Sequence, residues 1–137
     1  MDSLIQTIED AYKSPEDETL TNKAHRLFLN HIFILPVKKV VNKGDEPTAL
    51  FFTEENKHFL PIFSSDDFFR HWAGETESEM DWLNIAGKDL IIGSGETTFL
   101  CLDIGQDHYK EMQPDEVIKL KQVISKLERI AKATSKA

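Results

Sequence analysis

Five histidines, one cysteine and 24 carboxylates are the side chains of this 137-residue chain best suited to acid–base, metal or nucleophilic chemistry. His25, His31, His58, His71 and His108 stand singly, and none falls in a His-Glu-x-x-His or Cys/His zinc spacing. His71 follows Asp67 by one helical turn, which predicts a surface ion pair rather than an acid–base couple. Asp107-His108 reads as a polar loop. Cys101, set between Leu100 and Leu102, predicts a buried and inert thiol, because a nucleophile needs a nearby base. Gly93-Ser94-Gly95 lacks the lysine and serine/threonine of a phosphate loop and leads into an apolar run, so a hairpin turn is expected there. No Gly-x-Ser-x-Gly elbow occurs. Glu75, Glu77, Glu79 and Asp81 alternate, and on an extended segment they would put four charges on one side. The segment reads first as a solvated polar loop and second as a candidate surface for a basic partner or a cation, with a spacing unlike a calcium loop. No catalytic, cofactor-binding or metal residue is singled out, so no cofactor is expected and an enzyme is not the leading reading.

The elements that must position these groups centre on Thr48–Gly74, which holds six of the nine phenylalanines and one of the two tryptophans. Ala49-Leu50-Phe51-Phe52 and Phe59-Leu60-Pro61-Ile62-Phe63 predict a hairpin about Glu54-Glu55-Asn56-Lys57. With that turn Thr53 faces His58, Phe51 faces Leu60 and Ala49 faces Ile62. Both faces are then apolar, which predicts a sheet covered on both sides. Pro61 cannot donate to a ladder and belongs at an edge or bulge. Ser64-Ser65-Asp66-Asp67 predicts the capped start of a helix ending near Ala73, with Gly74 as its C′ residue and Phe68, Phe69 and Trp72 on one face.

Before this stretch, Leu4, Ile5, Ile8, Ala11 and Tyr12 predict an amphipathic helix over residues 1–13. Ser14-Pro15 predicts the start of a second helix, with Leu20, Ala24, Leu27 and Phe28 inward, and residues 31–41 predict a strand. After it, Trp82, Leu83 and Ile85 predict a short helical turn, while residues 88–92 and 97–104 predict a second hairpin. Asp107–Met112 is a connector or short edge strand. Pro114-Asp115-Glu116 opens a last helix whose stripe is Val117, Leu120, Ile124, Leu127 and Ala131, with residues 132–137 as a frayed tail. The sum is one α+β domain over 1–137: a mostly antiparallel sheet of about five strands packed by N- and C-terminal helices.

Charge and cysteine content narrow the partners. Of a net −8, the segment from Asp115 onward contributes six Lys/Arg against three Asp/Glu, leaving −11 on residues 1–114. An acidic body argues against nucleic acid as a partner; it reads first as a solvated surface and, more sharply, as a face that docks onto a basic protein. One cysteine gives no intrachain disulfide framework and fits a reducing cytoplasm. No basic-then-apolar leader and no membrane-spanning run are read in the chain. A cytoplasmic monomer or weak homodimer is expected.

Leu50-Phe51-Phe52-Thr53, then Phe59-Leu60-Pro61-Ile62-Phe63-Ser64-Ser65, then Trp72-Ala73-Gly74, resemble the SseB-type N-terminal domain. Ile34-Leu35-Pro36-Val37, Leu90-Ile91-Ile92-Gly93 and Thr98-Phe99-Leu100 resemble its flanking segments, over roughly Pro15 to Leu127. Gly93-Ser94-Gly95 departs from the family's usual asparagine-proline-glycine kind of turn. The resemblance implies a bacterial protein with fold-building motif residues, among them Phe59, Leu60, Pro61, Phe63 and Trp72, and no established enzymatic activity. The expectation is a non-catalytic interaction or adaptor domain docking a basic partner, through Glu75–Asp81 or the exposed side of the last helix. The alternatives are an immunity or inhibitor protein for a toxin, and a small-molecule or metal-dependent activity near His58, His71 and Trp72.

Overall fold

A computed structural model describes residues 3–39, 44 and 46–135. The elements run α1 (Ser3–Lys13), α2 (Glu18–Asn30), β1 (Ile32–Lys38), β2 (Phe52–Glu54), β3 (Lys57–Ile62), α3 (Asp66–Ala73), a 3₁₀ helix (Gly74–Glu79), β4 (Met80–Ala86), α4 (Gly87–Gly93), β5 (Thr98–Leu102), β6 (Lys110–Met112) and α5 (Pro114–Ser135). The fold is α+β. Residues 1–2 of the expected first helix, Val40 and Val41 of the expected strand, Asn42, Lys43 and Asp45 of the expected turn, and residues 136–137 of the expected tail lie outside the described residues.

Local chemistry sets several elements as expected. The β2–β3 register pairs Thr53 with His58, and Glu55 and Asn56 make the two-residue turn with φ 51° and 67°, the left-handed pair that suits strand twist. Ser65 caps α3 by accepting from the Phe68 N–H at 3.4 Å, and Gly74 ends it at φ 52°. The cap of α2 is Asp17 rather than Ser14: its carboxylate accepts from the Leu20 N–H at 3.1 Å, so the helix begins three residues beyond Pro15.

Non-local pairing decides the sheets, and here four expectations are corrected. The hairpin ends at Phe52, and the segment before it crosses to β1, with Ala49 bridging Val37 and Leu50 N–H donating to Pro36 O; Phe51 and Ala49 therefore do not face Leu60 and Ile62. Residues 88–92 are helical: α4 buries the adjacent Leu90 and Ile91 and leaves Ile92 exposed, a helical rotation that strand alternation cannot produce. The second hairpin is therefore absent, and β5 instead pairs parallel to β3, His58 opposite Thr98 through Ile62 opposite Leu102. Finally, Trp82, Leu83 and Ile85 belong to a strand, β4, which pairs antiparallel with β1. The sheets are β1-β4 and β2-β3-β5-β6, joined by the bridge between Ile34 and Phe63.

Alternation along the strands sorts two cores. Phe33, Leu35, Val37, Leu60, Ile62, Leu100 and Leu102 face α1, α2, α4 and α5, meeting Leu4, Phe28, Ile91, Val117 and Leu120. Ile34 and Phe63 face the other way, against Phe69 and Ala73 of α3, with Trp72 5.1 Å from Phe63 between ring centroids. The sheet is covered on both sides there. The stripe of α5 is buried only through Ile124; Leu127 (48% exposed) and Ile130 (53%) extend past the core.

Candidate functional site

Two places gather the polar and exposed groups worth weighing. The first is the carboxyl end of the parallel pair β3–β5, where sites form in open α/β sheets. Asp103 follows β5 with φ 59° and its side chain is fully buried. Its carboxylate accepts from Ser64 N–H at 2.8 Å, Ser64 Oγ–H at 2.6 Å and His108 Nε2–H at 2.7 Å. The Ser64 carbonyl in turn accepts from His31 Nε2–H at 2.9 Å. The serine proton is thus directed at a carboxylate and not at an imidazole, so the cluster lacks the base–nucleophile contact of a hydrolytic triad. It holds the ends of β3 and β5 and the start of β1 together. Sequence pattern puts His108 in a plain polar loop and does not single out Asp103. The one legible signal is a carboxylate directly after an apolar strand.

The second place is the outer edge of β4. Ile34 exchanges main-chain bonds with Phe63, Pro36 O accepts from Leu50, and Lys38 N–H donates to Thr48 O, all on the side away from β4. Phe33, Leu35 and Val37 therefore direct their groups at β4, where they meet Ile85, Leu83 and Asp81. Pro36 costs the ladder nothing, because its nitrogen lies on the other side. By the same alternation Trp82 and Asn84 turn their N–H and C=O groups outward, and no described strand pairs with them. Trp82 is 43% exposed and Leu83 38%, on opposite faces of this edge; Trp82 also leans on Phe69 at 5.6 Å between centroids.

The four alternating carboxylates adjoin this edge but are not aligned on an extended segment. Glu75, Glu77 and Glu79 lie in the 3₁₀ helix and Asp81 in β4. Glu77 meets Arg70 Nε at 3.6 Å, and Lys39 Nζ donates to Ser78 O at 2.8 Å, while Glu75 and Glu79 are exposed. Of the motif residues, Leu60, Pro61 and Phe63 are buried, Phe59 stacks on Phe99 at 4.9 Å, and Trp72 joins the α3 core.

Of the remaining candidates, Trp72 packs edge-on to Phe52 of β2 at 6.1 Å between ring centroids. His58 lies beside Phe51 and Thr53, whereas His71 Nδ1 accepts from Gln106 Nε2 at 2.9 Å, so the contact made by His71 is with Gln106. One cavity opens between α1, α2 and α5 and another between α2 and α5; neither is lined by His58, His71 or Trp72. Among the described residues, no three His, Cys, Asp or Glu side chains form a group able to hold a metal ion. Cys101 is buried in β5, and burial raises its thiol pKa. Its alkylation by iodoacetamide at neutral pH is expected to be more than about tenfold slower in the folded chain than in urea; equal rates would show an accessible thiolate.

The sequence matches the family described as SseB protein N-terminal domain over residues 6–118. No curated protein and no solved structure matches the chain. No helix among the described residues is long and apolar enough to cross a membrane.

Proposed function

We propose that this chain, which belongs to the SseB N-terminal domain family, is a non-catalytic protein-interaction module whose β4 edge accepts an extended, lysine- or arginine-bearing segment of a partner protein. The observation that carries the reading is the open seven-residue edge of β4, with Trp82 and Leu83 exposed along it. The other edge strands, β2 and β6, are three residues each. Short edges are protected against pairing, and a long apolar one is a template for strand addition. Main-chain bonds from Trp82 and Asn84 would supply affinity, and the neighbouring Glu75 and Glu79 favour a basic segment. The use of Ser64, Asp103 and His108 as mutual partners supports the non-catalytic part of the reading.

The test titrates a blocked peptide of alternating lysine and valine while tryptophan fluorescence is followed. Saturable binding should weaken steeply as salt is raised, and a glutamate–valine peptide should not bind. Asn84→Pro removes one outward N–H without touching the β1 ladder, so it should weaken binding at least about tenfold while the fold persists. Binding insensitive to both salt and Asn84→Pro would sink the proposal. Edge-to-edge pairing of two copies would show instead as a mass that rises with protein concentration and needs no peptide.

A further inference from the structure

A cavity of about 190 Å³ opens between α1, α2, α5 and the β5–β6 end, and none of its lining residues belongs to β4 or the acidic turn. Its apolar walls include Ile8, Phe28, Leu102, Met112 and Leu120. An apolar cavity of about 150 Å³ holds a benzene ring, so this one has room for a single ring or a short acyl chain.

The polar groups around it are unlike the rest of this acidic chain. Lys110 and Lys119 line the cavity against one carboxylate, Glu116, and that carboxylate already accepts from Tyr12 Oη–H at 2.9 Å. Lys110 Nζ stands 5.7 Å from the centre of the Tyr12 ring. His25 also lines the cavity, and its Nδ1 is buried without a hydrogen-bond partner. A bare lone pair is tolerated better than a bare N–H, which puts the imidazole proton on Nε2. Burial, and secondarily the Lys119 ammonium, lower the His25 pKa from its ordinary 6.5, so at neutral pH the ring is an uncharged donor.

We propose that this cavity binds a small monocarboxylate, its ring or acyl body against Phe28, Leu102, Met112 and Leu120 and its carboxylate toward Lys110 and Lys119. The apolar walls exclude a second charge on the body of the ligand, where it would be buried among Phe28, Leu102 and Leu120 without a partner. The two ammonium groups favour an acid over its amide or amine. The site is separate from the β4 edge, so either proposal can fail without the other.

The probe is 3-phenylpropanoate, titrated into the full chain and followed by amide and methyl NMR, with 3-phenylpropanamide as the uncharged counterpart. Saturable shifts centred on Ile8, Ala11 and Met112 are expected, with the amide weaker by at least about tenfold. Lys110→Gln with Lys119→Gln should weaken the acid by a similar factor and leave the amide unchanged. Ala24→Leu should fill the cavity and abolish both; if that variant fails to fold, the lysine variant decides alone. Equal binding of acid and amide, shifts centred elsewhere, or no saturation at the solubility limit would each overturn the assignment.

Discussion

Replacing Asp103 with alanine is expected to lower stability by roughly 3–5 kcal/mol, read from urea unfolding. The carboxylate is fully buried and accepts three hydrogen bonds, two from Ser64 and one from His108. Alanine leaves the Ser64 N–H, its hydroxyl and His108 Nε2 without that acceptor. Alanine also occupies φ 59° less readily than aspartate, which tolerates the left-handed region. Asp103→Asn separates these contributions. Its amide oxygen can accept from Ser64 N–H, its backbone preference is retained, and a loss of only about 1–2 kcal/mol is expected. If alanine cost no more than asparagine, the cluster would not be what joins the ends of β3 and β5.

Gly87→Ala should be comparably damaging, by roughly 2–4 kcal/mol, for a steric reason instead of a polar one. A Cβ at this position would fall 1.9 Å from the Phe28 carbonyl oxygen and 2.8 Å from its carbon. Both are backbone atoms of α2, so no side-chain rotation relieves the overlap. The first turn of α4 would have to move off α2, disturbing Leu90 and Ile91 and the bond from Gly87 N–H to His31 O at 2.8 Å. Gly93→Ala is the control. Nothing lies within 4 Å of its added Cβ, so that change should be neutral or stabilise by about 0.5 kcal/mol. Thermal unfolding of the two variants side by side checks the contrast, and similar midpoints would show that the α2–α4 approach can relax.

Elements governed by neighbours along the chain are legible in the residues alone. Ser65 and Gly74 bound α3 because a hydroxyl and a positive φ act within one turn. The Thr53–His58 register follows from turn length. Pro114, Asp115 and Glu116 open α5 for the same local reasons. The short apolar runs are not legible in this way. Leu90-Ile91-Ile92 and Trp82-Leu83-Asn84-Ile85 are too brief for period to separate helix from strand, and the helix and strand expected of them are exchanged in the fold. The two polar centres are hidden as well, because Ser64 and Asp103 stand 39 residues apart and the cavity draws on four segments of chain.

Composition, periodicity and contacts within a few residues suffice for the α+β class, the family motif and the bounds of α3, though not for the cap of α2, which is Asp17 and not Ser14. They do not reach the parallel pairing of β5 with β3, the open edge of β4, or the union of Asp103 with Ser64 and His108. Those outcomes rest on which distant strands pair and on which polar groups burial obliges to find one another. Local propensity carries no information about either.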